Sequence, residues 1–297
     1  MKILFSKEAD DATEILELVG FVDADIKISH LWQNIRTASR KINKIIGDDH
    51  YDLAVTKYES DDLEDEFCTM VRYAIALDAC RHYAPLMDLA FTTQGRSFRN
   101  DEHNRVPWEW QIDKSDDALE KAYYNSVNEL ITFIVDNDME PSEFMQQFTG
   151  LFVSSLDEFQ KYVNINDSYL LYLKLGPSMK LFEQREIISR VGSRFTEVKE
   201  NKESYIFTLV QNCAVYFAMA DGIKKLSVQL FPEGAMKGEK KNAKTASGYD
   251  VEASALYYRA ELERLLLDLE SEVKKLNASP VRARALKFDE NDGFVTL

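Results

Sequence analysis

SDDALEKAYYNSVNELITFIVDN, residues 115–137, decides the fold class. Ser115 stands where a helix cap accepts a backbone N–H. Asp116 and Asp117 follow in the first turn, where the partial positive charge of a helix start favours acids. Leu119, Tyr123, Val127, Leu130 and Ile134 then recur at steps of three and four, with Ala122, Ser126 and Ile131 beside them. The spacing predicts a helix over 115–137 with a stripe for the core, not a site.

The same period runs outward in both directions. Ile28, Leu31, Ile35, Ala38, Ile42 and Ile45 form a stripe that Gly47 closes, with Asp23 and Asp25 as starting residues. Residues 48–60, DDHYDLAVTKYES, read as a connection. A helix from Phe67 to about Leu89 carries Phe67, Met70, Val71, Ala74, Leu77 and Cys80, with Asp78 on its polar side; Pro85 predicts a kink or a new start. Residues 10–19 suit neither a clean helix nor a clean strand, and residues 2–5 read as a short strand or an arm. Gly176-Pro177 predicts a break between an apolar segment at 168–175 and a helix over 178–191. A helix over 205–230 is rich in small residues, Ala214, Ala218, Ala220 and Gly222, for close helix approach. The last long helix has its stripe at Val251, Ala255, Tyr258, Leu262, Leu265, Leu269, Val273 and Leu276. It reads as a bundle helix rather than an intersubunit coiled coil.

Only 11 Gly and 6 Pro occur in 297 residues, too few turn formers for a β-sandwich. The reading is all-α: an irregular multi-helix bundle with long connecting loops and a flexible C-terminal tail. Residues 1–230 form the helical core, 231–249 a flexible basic loop, 250–279 the long C-terminal helix packing on the core, and 280–297 the tail.

A net charge of −15 argues against free nucleic acid as a general partner, because phosphate binding needs a basic footprint. Cys68, Cys80 and Cys213 form no CxxC pair and read as buried free thiols. MKILFSKEADD turns acidic too early for a signal peptide, and no apolar run reaches the ~20 residues that cross a bilayer.

The residue pattern argues against most enzyme classes. None of His30, His50, His82 and His103 pairs with another at i and i+4, and no zinc spacing occurs. Phosphate loops and a nucleophile elbow are missing too. The Asp-Asp pairs sit at helix ends or in polar connections, where nothing splits their two pKa values. The sequence therefore predicts no catalytic residue, no cofactor and no metal, with Asp101, Glu102 and His103 the one grouping open to a divalent ion.

Candidate interaction residues are clearer. Residues 92–112 form a long polar loop with Arg96, Arg99, Arg105, Trp108 and Trp110. Loops of this length are commonly functional, and Trp and Arg are enriched at interface hot spots. Trp108 and Trp110 either plug the core or anchor a partner. Lys237, Lys240, Lys241 and Lys244 make the 231–249 stretch locally basic, a mobile loop or an arm for an acidic neighbour or a nucleic-acid backbone. The tail turns basic, then acidic, then apolar at Phe294 to Leu297, as a docking peptide or a free end would.

Several stretches together resemble a family of virion structural proteins from phages and prophages of Bacteroidetes, similar to head–tail connector (adaptor) proteins. They are IIGDDHYDLAV at 45–55, TTQGRSFR at 92–99, WEWQ at 108–111, LITFIVDN at 130–137, SSLDEFQKYVNINDSYLLYLKLGPSM at 154–179 and LVQNCAVYFAMADGIKKLSVQLFPEGA at 209–235. The lysine-rich 237–244 stretch departs from that pattern. The resemblance implies a helical virion protein of the neck, assembled in the host cytoplasm as a homo-oligomeric ring between portal and tail proteins. It implies no catalytic residue and no membrane. A basic loop in such a ring would make transient contact with packaged DNA. The alternative is a soluble scaffolding protein that binds a partner through residues 92–112.

Overall fold

The computed structural model describes residues 1–8, 11–22, 26–87, 89–93, 95–98, 107–146, 150–226, 229–231, 234–236 and 247–278. The chain begins with α1 (Thr13–Val19), α2 (Ile28–Ile46), α3 (Asp48–Glu59) and α4 (Glu66–Met87). After a hairpin, β1 (Leu89–Thr92) and β2 (Gly95–Phe98), come α5 (Glu109–Asp136), α6 (Glu143–Gln146), α7 (Leu156–Gln160) and α8 (Tyr169–Phe182). A π-helical turn, Glu183–Ile187, leads into α9 (Ile188–Val191). A 3-10 turn, α10 (Phe195–Glu200) and α11 (Tyr205–Leu226) follow, then a second hairpin, β3 (Gln229–Phe231) with β4 (Gly234–Met236), and finally α12 (Gly248–Asn277). The fold is all-α, a multi-helix bundle with two small antiparallel hairpins as its strands among the described residues.

Packing follows a clear order. α4 takes α1, α2 and α3 around it and passes contact to α5; α5 packs on α8, α8 on α11, and α11 on α12. Every residue from Ala74 to Cys80 is buried, as expected of a helix surrounded by neighbours. Residues 2–5 resolve as an arm. Leu4 and Phe5 are buried, and the buried Arg72 donates through Nε to the Leu4 carbonyl at 3.1 Å. Its guanidinium also pairs with Glu14 at 2.5 Å and lies over the rings of Phe5 and Tyr58.

Several expectations need correction. Residues 48–59 of the expected connection are helix, because Tyr51, Ala54 and Val55 bury one narrow face of α3. Within residues 10–19, Thr13–Val19 form α1. The Asp23 and Asp25 start lies outside the described residues; α2 opens after Lys27. The helix predicted from Ser115 begins at Glu109. Gln111 takes over the capping, its Oε1 accepting the Trp108 N–H at 2.9 Å while the Trp108 carbonyl accepts from Gln111 and Ile112. Pro85 lies inside the last turn of α4 and starts no new helix.

Gly176-Pro177 does not break the chain either. α8 runs through it with Tyr172, Leu173, Leu175, Met179 and Phe182 buried. A proline inside a helix costs about 3 kcal/mol. Burying a large apolar side chain returns ~1.5–3 kcal/mol each, so packing decides the matter.

Asp78 is not on a polar side. It is fully buried, held by Lys41 Nζ at 3.0 Å and Arg81 Nε at 2.7 Å. α11 ends at Leu226, four residues short of the expected end. It is long and apolar enough to cross a membrane by length and composition, against the expectation of no such run, but 61% of its most apolar window is buried inside the fold. Its small residues do serve close approach: a Cβ at Gly222 would run into Leu175 Cδ2 of α8.

Candidate functional site

The capping that starts α5 also sets the two tryptophans. Trp108 is the residue before the helix and Trp110 lies in its first turn, so Trp110 is helical and not part of the loop expected over 92–112. Trp108 is 73% exposed and Trp110 58%. Neither plugs the core. Together they offer solvent two large, stiff apolar side chains on the end of a 28-residue helix.

Arg96 is in β2, opposite Phe91 of β1, so part of the predicted loop is a hairpin. Arg99, Arg105, Lys237, Lys240, Lys241, Lys244, Phe294 and Leu297 lie outside the described residues, as do Asp101, Glu102 and His103. Residues 229–231 and 234–236 pair as a hairpin, so the predicted 231–249 loop starts inside it, and its last residues cap and open α12.

A surface that the sequence reading passed over lies on α12. Ser247 and Asp250 close its start reciprocally: Ser247 Oγ accepts the Asp250 N–H at 3.1 Å, and the Asp250 carboxylate accepts the Ser247 N–H at 2.8 Å. The expected stripe faces inward, with Ala255, Leu262, Leu269 and Val273 buried. Tyr216 of α11 meets Tyr258 edge to face at 5.6 Å between centroids. Opposite that stripe, Tyr249 (81% exposed), Leu256, Tyr257 and Leu267 (67%) are open to solvent. Positions 249, 256 and 267 are seven and eleven residues apart, nearly whole turns, so they form a second stripe along a helix ~45 Å long. That spacing was available in the sequence, hidden among Glu252, Arg259, Glu263 and Arg264.

An open cavity of about 660 Å³ lies between the end of α2, the start of α3 and residues 140–146. Its wall is fixed by two side chains. His50 Nε2 meets the Glu140 carbonyl at 2.6 Å, and Ser142 Oγ donates to the Ile45 carbonyl at 2.7 Å. Gly47 (φ +92°) has no room for a Cβ beside Ser142. Arg40 and Lys44 line it together with Asp48, Asp49, Glu140 and Glu143, so the cavity builds no field of one sign.

Among the described residues, no group of three His, Cys, Asp or Glu side chains is placed to hold a metal. The cysteines are buried and free. Burial pushes the Cys80 and Cys213 thiols up to about 12, which keeps them protonated and unreactive at neutral pH.

Comparison with known proteins finds no match among curated proteins or solved structures. A family model matches residues 37–145 and 179–278, which takes in both tryptophans and the whole of α12. The chain therefore belongs to DUF6712, a family of unknown function.

Proposed function

We propose that the chain is a non-enzymatic structural subunit that assembles head to tail with copies of itself. Following the resemblance, its place is a ring in a phage virion neck, between portal and tail. One observation carries the reading: two separate apolar surfaces are exposed on elements with different packing neighbours. Trp108 and Trp110 open α5, which packs on α4 and α8; Tyr249, Leu256, Tyr257 and Leu267 line α12, which packs on α11 and α9. A cyclic ring needs two unlike faces on each subunit, so that one meets the other on the next copy. Contiguous exposed apolar stripes serve association, and Trp and Tyr are enriched at interface hot spots.

The test is the mass of the purified chain in solution, alone and mixed with portal and tail proteins. The expected result is a ring at a multiple of 34.2 kDa, alone or on mixing. The double variant Trp108→Ala, Trp110→Ala should fold normally and fail to assemble. A wild-type chain that stays monomeric in every mixture overturns the reading. The exposure of both tryptophans also favours a second one, a scaffolding protein that binds a single partner through the start of α5. That reading predicts a one-to-one complex, lost in the same double variant, and no ring.

A further inference from the structure

A second cavity, about 380 Å³, opens where α2, α4, α5, α6 and α8 meet. Its lining is basic and aromatic. Four cations line it: Lys41 and Lys44 from α2, Arg81 from α4 and Lys174 from α8. Tyr123 and Tyr124 form its aromatic wall, with the Arg81 guanidinium 4.2 Å from the Tyr123 centroid and Lys174 Nζ 5.7 Å from that of Tyr124. Beneath lies Asp78, fully buried and already engaged by Lys41 and Arg81. Lys41 also donates to His82 Nε2 at 2.8 Å, and burial lowers the His82 pKa, so this ring adds no charge at neutral pH. Asp78 offsets one of these four charges, and Lys44 also borders the first, mixed-charge cavity, so the mouth keeps a net positive charge in a chain whose net charge is −15.

We propose that this cavity receives an acidic segment carrying aromatic side chains, and that the segment is residues 288–297 of a second copy of the chain. FDENDGFVTL holds Asp289, Glu290 and Asp292, no cation, and Phe288 and Phe294 on either side. An aromatic ring lies against Tyr124, Phe144 and Leu170, where the wall is apolar, and the flanking carboxylates meet Lys44 and Lys174 at the rim. The volume lies at the lower end of that of sites for small ligands, enough for one aromatic side chain with its neighbours. Lys174 and the segment both lie outside the stretches matched by the family model. The inference rests on the self-assembly reading and gives it a specific link between neighbouring copies.

The test is fluorescence anisotropy of a labelled 288–297 peptide titrated with the full chain. Two receptors are used: the wild type, and Phe288→Ala, Phe294→Ala, whose own segment no longer competes. Saturable binding is expected, tighter to the second receptor. It should weaken at least tenfold on introducing Lys44→Glu and Lys174→Glu, both exposed positions, and fall with added salt. Mixing the Lys44→Glu, Lys174→Glu chain with the Phe288→Ala, Phe294→Ala chain should give a mixed complex, because each supplies what the other lacks. No binding to either receptor, equal binding of a scrambled peptide, indifference to the lysine changes, or no mixed complex each overturns the proposal. A ring that forms without peptide capture removes this inference and keeps the assembly reading. Peptide capture by a chain that never forms a ring does the reverse.

Discussion

Along α4, seven consecutive residues from Ala74 to Cys80 are buried, whereas α12 buries one stripe and leaves Tyr249, Leu256, Tyr257 and Leu267 in solvent. The two long helices break the usual amphipathic rule from opposite sides. α4 carries a carboxylate where an apolar residue belongs, and α12 carries apolar residues where polar ones belong. The physical consequences differ. A buried charge must be paired within the molecule, since its desolvation costs several kcal/mol and no outside partner can reach it. An exposed leucine costs the monomer almost nothing, and burying it against another surface is worth about 1.5–3 kcal/mol. The anomaly in α4 therefore concerns folding, and the anomaly in α12 concerns association.

The sharpest way to break this contrast is to remove the charge in α4. Asp78→Ala leaves Lys41 and Arg81 without their shared carboxylate at a site where Arg81 is mostly buried. A loss of ~3–5 kcal/mol is expected in urea unfolding, the range for taking one partner from a buried pair. A loss under ~1 kcal/mol would mean that water reaches Asp78 through the open cavity above it. The next largest effect belongs to the packing between the two helices' halves of the molecule. Gly222→Val pushes a branched side chain into Leu175 of α8. A loss of about 1–3 kcal/mol is expected, and Leu175→Ala in the same chain should restore part of it, because the two positions share one space.

Much of the fold was legible in the sequence, and the failures have a common cause. The stripes of α2, α5 and α12 follow a 3.6-residue period that needs no knowledge of neighbours. α3 was missed because Tyr51, Ala54 and Val55 are few among acidic and polar residues, and only the docking of α3 on α4 shows that they suffice. Pro85 and Pro177 were read by local cost, while burial on both sides of α8 outweighs that cost. Asp78 was placed outside because a stripe count assumes one buried face. The basic cavity could not be read at all, since Lys41, Arg81, Tyr123 and Lys174 come from four helices and meet only in the tertiary structure. By contrast, the outer stripe of α12 was present as spacing and was passed over because the inner stripe already explained the helix.

The smallest expected effect on stability is also the one that most sharpens the contrast. Leu256→Asn and Leu267→Asn together change the outer stripe of α12 without touching Ala255, Leu262 or Leu269. Both positions are exposed, so the unfolding free energy should move by no more than ~0.5 kcal/mol per site. If α12 presents an association surface, the same pair should abolish self-assembly, since two buried leucines supply several kcal/mol to a contact of marginal size. The measurements are urea unfolding and solution mass on the same preparation. A chain that loses assembly at unchanged stability separates the two helices cleanly: α4 holds the subunit together and α12 holds it to others. A chain that loses stability as well would show that Leu256 and Leu267 are covered within the molecule, and that the exposed tryptophans at the start of α5 carry the contact alone.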